Sequence, residues 1–252
     1  MLSFFRARWR RKLAQRPFPD RWRGIVQAHL SFANRYDPEE RQRFETHLKV
    51  FVWEKHWVGV KGVEITDEVK VVIAGQAARM SHNLSLDVYD RLSELVIYPS
   101  HYVHPDKDAI IYGEAHKWGT VVLSWDAVTH GLERPADGHD TAVHEFAHVL
   151  DVADGHFDGT PSLHEREDYR AWALVLSHHY AILQRAPQRH RFLRAYGATN
   201  EAEFFAVATE AFFERPVRMR KEAPELYKAF EKFYRIDTAG LAKRGTKKRR
   251  AR

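Results

Sequence analysis

The stretch Thr141–Asp151, TAVHEFAHVLD, restricts this chain more than any other. It holds no Gly or Pro, Val143, Phe146, Ala147 and Leu150 supply apolar faces, and Asp140 stands where an N-cap belongs, so it is predicted to be a helix. On a helix, positions i and i+4 share a face one turn apart. His144 and His148 can therefore aim two imidazole nitrogens at one point, an arrangement that suits tetrahedral zinc. Glu145 lies beside the first of them, where its carboxylate can take a proton from water activated by the metal.

Chance alone places an H-E-x-x-H in a chain of this composition with a probability of roughly 0.07, so the motif needs other residues to complete it. A catalytic zinc takes three protein ligands and keeps one position open. With no cysteine in 252 residues, the third ligand must be His or a carboxylate. In the loop after the helix, Asp154 stands where some zinc peptidases place a His, but Asp151 occupies the position of their turning Gly, and a residue with a Cβ turns poorly at positive φ. Asp151 fits better as an acceptor that orients a histidine of the helix. His156, His164, His178 and His179 read as surface or hydrogen-bonded residues. A better source is YGATNEAEFFA, residues 196–206, where Thr199 or Asn200 can cap a helix carrying Glu203 in its first turn. Glu210 follows seven residues later on the same face, and spacing does not choose between the two.

Around these motifs the chain reads as one α+β domain over 18–240. Helices are expected over 21–36, from the start signal Asp37-Pro38-Glu39-Glu40, and from Thr66-Asp67-Glu68. Strands are expected at Leu95–Tyr98, Ala109–Tyr112 and Thr120–Trp125, the last two separated by residues 113–119. Of these, Thr120–Ser124 is the candidate edge that would pair with an extended peptide. Loop at 154–161 and helices over 165–185, 200–214 and from Pro224 complete the chain. The expected architecture puts helices first, a small mixed sheet in the middle, and the cleft between the sheet and the C-terminal helices.

The formal net charge of +6 belongs to the ends. Residues 1–17 carry six basic residues and 243–252 seven, with no acidic residue in either, which leaves the body acidic. A nucleic-acid-binding fold is therefore disfavoured. The ends read as a basic N-terminal tail and a basic disordered C-terminal tail from 241, with Phe4, Phe5 and Trp9 as the residues that would dip into a membrane surface. No apolar run approaches the ~18 residues of a membrane span, and no apolar stretch follows the first basic cluster as in a signal peptide, so the cytoplasm is the expected compartment.

Together, HEFAH and YGATNEAEFFA resemble the catalytic domain of the anthrax lethal factor protease. The stretches from FVWEKHWVGVKGVEITDEVKVVIAGQAARM through LVIYPS, VVLSWDAV and HEFAHVLDVADGHFDGTP to NEAEFFAVATEAFFERP resemble the Mlc titration factor A family of bacterial zinc peptidases, over about residues 22–235. The resemblances imply a gluzincin-like zinc site of His144, His148 and Glu203, one ion per chain, with Glu145 and Tyr196 catalytic and Glu210 reduced to a supporting carboxylate. They also imply a peptide substrate, aminopeptidase activity and binding of the transcriptional repressor Mlc of glucose uptake. An aminopeptidase needs an acid to hold the substrate amine, for which Glu114, Glu210 and Asp151 are candidates. The rival readings are a regulatory binding protein in which hydrolysis is incidental, and a structural zinc domain.

Overall fold

In a computed structural model, residues 2–103, 110–116 and 118–250 are described. The helices are α1 (Leu2–Gln15), α2 (Asp20–His29), α3 (Pro38–Glu54), α4 (Asp67–Ser81), α5 (Trp125–Glu133), α6 (Thr141–Asp151), α7 (Asp168–Arg185), α8 (Glu201–Glu214), α9 (Pro216–Glu222), α10 (Pro224–Tyr234) and α11 (Thr238–Arg250). The strands are β1 (His56–Gly59), β2 (Glu94–Tyr98), β3 (Tyr102–Val103), β4 (Ile110–Ile111), β5 (Gly113–His116) and β6 (Thr120–Ser124). This is the α+β class, mostly helical with a small mixed sheet ahead of α6.

Local chemistry sets several boundaries. At α3 the Asp37 carboxylate accepts from Glu40 N at 2.9 Å and the Glu40 carboxylate accepts from Asp37 N at 2.9 Å, a closed capping box with Pro38 in the first turn. The helix α4 starts at the Thr66 cap and is buried on nearly every side from Val69 to Ser81. Helices that are apolar or small all round belong inside. α4, α6 and α8 are of this kind, and they pack on one another as the centre of the molecule. Edge-to-face contact of Phe51 with Phe146 joins α3 to α6, at 5.5 Å between ring centres. Phe205, Phe212 and Phe230 hold α8 against α10.

The larger sheet has the order β1-β2-β6-β5. β1, β2 and β6 run parallel, and β5 returns antiparallel to β6 with Glu114 opposite Val122. Two expectations are corrected here. Thr120–Ser124 is an inner strand, and the edge beyond it is Gly113–His116, part of the stretch expected only to separate two strands. Ile110–Ile111 pairs with β3 in a separate two-stranded ribbon, and Ala109 lies outside the described residues.

The basic ends also differ from the expected tails. Residues 241–250 continue α11. In α1, Leu13 and Arg10 are buried, and the Arg10 guanidinium reaches Glu54 at 2.6 and 2.7 Å and Asp90 at 2.5 Å. Lys49 donates to Ala14 O at 2.8 Å. These charges are internal partners, hidden from a count that assigns every arginine to solvent. No described helix is long and apolar enough to cross a membrane.

Two predictions follow from buried charge. Removing one member of a buried ion pair strands the other, so Arg10→Ala should destabilise the fold by about 3 kcal/mol in denaturant unfolding. A loss below ~0.5 kcal/mol would show that α1 is not part of the cooperative unit. His82 and His179 are buried, and burial lowers both from the ordinary 6.5 to about 4. Between these values the unfolded chain binds protons that the native chain refuses. Stability should therefore fall as pH drops from 6.5 towards 4, and an unfolding midpoint unchanged between pH 7 and pH 5 would contradict this.

Candidate metal centre

Asp140 caps α6, its carboxylate accepting from Val143 N at 3.0 Å, and every residue from Thr141 to Asp151 is buried. One helical turn sets the rings of His144 and His148 at 4.8 Å, nearly perpendicular, with their Nε2 atoms 3.2 Å apart. From α8 comes Glu203, in a first turn capped by Asn200, whose side-chain oxygen accepts from Glu203 N at 2.8 Å. Glu203 Oε2 lies 3.0 Å from His144 Nε2 and 3.5 Å from His148 Nε2. Three donor atoms from two helices thus converge in a pattern that could hold one metal ion.

Glu210 is fully buried and serves the opposite side of the first ligand. Its Oε1 accepts from His144 Nδ1 at 2.7 Å and its Oε2 from Asp140 N at 2.9 Å, while Arg194 Nη2 pairs with Oε1. The contact at Nδ1 fixes the ring so that Nε2 faces Glu203 and His148. Burial disfavours the His144 imidazolium, but the bonds to Glu203 and Glu210 outweigh it and push the group up to about 10. Burial likewise opposes ionisation of Glu203, and its two histidine contacts overcome this and hold it well below the ordinary range. A proton on His144 Nε2 occupies the lone pair a metal would use, so metal and proton compete there.

Glu145 is buried, and its carboxylate makes no hydrogen bond among the described residues. Burial pushes it up to about 7; His144 opposes the rise, and Glu203, Glu210 and Glu114 add to it. The edge strand crosses directly over this group: a Cβ on Gly113 would stand 2.7 Å from Glu145 Cγ and Oε1. Only glycine allows that approach. Tyr196 sits in a 3-10 turn, Ala195–Ala198, half exposed, with its ring 6.1 Å from that of His144. Burial, then the neighbouring Glu203, push its phenol up to about 12, so it remains a proton donor through the neutral range.

The remaining expected residues fall as follows. Asp151 is buried and accepts from Gly159 N at 3.0 Å, anchoring the loop after α6; it does not hydrogen-bond His148, whose Nδ1 has no partner among the described residues. Asp154 ends the turn Val152–Asp154, and its side chain is outside the described residues. Glu114 lies on β5, half-buried, and its charge reaches Glu145. Sequence reasoning missed Arg194, Gly113 and Phe157, whose ring packs on that of His148 at 4.9 Å. The arginine two residues before Tyr196 was visible, but a single cation carries no spacing signal.

A buried helix bearing paired imidazoles and a glutamate between them, met by a carboxylate from a second helix, defines a metallopeptidase-type centre. Residues 5–235 match the family described as glucose-regulated metallo-peptidase M90, and the chain belongs to that family. It is similar to an uncharacterised protein of Synechocystis, 35% identical over 91% of this chain and 89% of that one. It is also similar to Mlc titration factor A of Yersinia pestis and of Yersinia pseudotuberculosis, each 27% identical over 81% of both chains.

Because Glu210 orients His144, Glu210→Gln should leave the chain folded and weaken metal binding by about 10–100-fold in chelator competition. Unchanged affinity would remove Glu210 from the support of the centre.

Proposed function

We propose that the chain is a zinc-dependent peptidase that draws peptide main chain along β5 and cleaves it beside Glu145. The observation that carries this reading is the convergence of His144, His148 and Glu203 next to the buried carboxylate of Glu145. Donors of a tetrahedral zinc with bonds of 2.0–2.1 Å lie about 3.3 Å apart. The separations of 3.0, 3.2 and 3.5 Å bracket that value, and a nitrogen and oxygen donor set suits the ion. When bound, the ion supplies Lewis acidity at the scissile carbonyl.

The chain's own groups supply the rest. β5 is the edge strand beside Glu145, so its outward backbone can pair with an extended peptide. Glu145, buried beside the three converging donors, takes a proton from the attacking water and returns it to the leaving amine. Tyr196 donates its phenolic hydrogen to the oxyanion that develops on the substrate. For an aminopeptidase, Glu114 is the carboxylate best placed to hold the substrate amine, since it lies half-buried on β5 near Glu145, whereas Glu210 and Asp151 have no exposed surface. The name of the Yersinia relatives, Mlc titration factor A, supports a second reading, in which the chain binds an Mlc-type repressor.

Glu145→Gln should keep its zinc and lose about 10²–10⁴-fold in kcat on peptide substrates. Tyr196→Phe should lose about 10²–10³-fold in kcat with metal content unchanged. Wild-type turnover in the first variant would overturn the peptidase mechanism. Repressor capture that persists in that inactive variant would favour the second reading.

A further inference from the structure

A cavity of about 510 Å3 opens away from the metal centre, between the end of α5, the start of α9 and the 3-10 turn Ser31–Arg35. Four guanidinium groups line it, from Arg35, Arg79, Arg215 and Arg218, against two carboxylates, Asp140 and Glu214. The formal balance of the wall is therefore positive.

The arginines are not alike. Arg79 is held inside the protein by Glu214 at 2.7 Å and by Phe213 O at 2.6 Å. Arg218 pairs with Glu222 at 2.7 Å. Arg215 spends its donors on backbone carbonyls, those of Ala136, Asp137 and Phe192, and meets no carboxylate among the described residues. Arg35 is half-buried and makes neither hydrogen bond nor ion pair among the described residues. Burial, then the charge of Arg79, hold its guanidinium below its ordinary value. A half-buried guanidinium beside another cation, with no protein acceptor among the described residues, is stabilised when an anion meets its donors. Planar bidentate recognition of phosphate or carboxylate is what that group does best. The other walls are apolar, with Phe32, Leu132 and Val217 among them, and the volume lies within the range of small-molecule sites.

We propose that this cavity binds a small organic anion, a phosphate or carboxylate group on an apolar body, with Arg35 as its main cation. Among the described residues the Arg35 side chain makes no hydrogen bond or ion pair, so replacing it with Gln removes ligand binding while keeping the polar contacts of the fold. The site lies behind α6: Asp140, which caps the metal-bearing helix, forms part of its wall.

The test uses the full chain loaded with zinc and titrated calorimetrically with phenyl phosphate, benzoate and inorganic phosphate at matched ionic strength. The proposal expects saturable binding of phenyl phosphate or benzoate, tighter than inorganic phosphate, weakened at least tenfold in Arg35→Gln. Which of the two binds more tightly assigns the anionic group. Arg35→Gln should keep wild-type thermal stability and wild-type peptide turnover. No saturable binding, or equal affinity in the variant, overturns the proposal. Binding that vanishes on chelation of the metal and survives Arg35→Gln places the anion at the metal centre instead, and overturns it as well.

Discussion

Glu210 holds a full carboxylate charge in the middle of the protein, with no exposed surface. A buried charge is tolerated only when its lone pairs are met. Here they are met by three groups from three parts of the chain: the His144 ring, the Asp140 backbone N–H and the Arg194 guanidinium. That requirement binds the N-terminus of α6 to the middle of α8 and to the segment preceding it. The ring orientation, and with it the direction in which Nε2 points, is a product of this desolvated network more than of the helix that carries the ring.

The same helix face supplies carboxylates for three purposes in order along α8. Glu203 joins the imidazole nitrogens at the mouth, Glu210 backs the first imidazole, and Glu214 takes Arg79 and the Ala136 backbone N–H on the far side. Asp140 is linked to the same structure by Gln76, whose amide donates to it at 2.5 Å. Three buried helices are thus tied by polar bonds as well as by packing. The sheet meets them at one narrow place, where the lack of a side chain at Gly113 lets β5 rest against Glu145.

Much of this was legible because it is local. The limits of α6, the Asp140 cap, the Asp37–Glu40 box and the Asn200 cap follow from residues within one turn of each other, and the structure shows each of them. Glu203 and Glu210 could not be separated by spacing because both face His144; they differ in which ring nitrogen they meet, a matter of tertiary position. β5 was missed because its four residues, Gly-Glu-Ala-His, lack strand propensity, and pairing with β6 makes the strand. The N-terminal helix was misread as a tail because its carboxylate partners, Glu54 and Asp90, lie 44 and 80 residues away in sequence.

The groups that could hold a metal ion are nitrogen and oxygen donors in a chain that contains no thiol. Peroxide and disulfide reagents release metal from thiolate centres by oxidising sulfur. They find no sulfur ligand to attack here. A metal held by these groups would be lost to acid, which protonates the imidazoles, rather than to thiol oxidation.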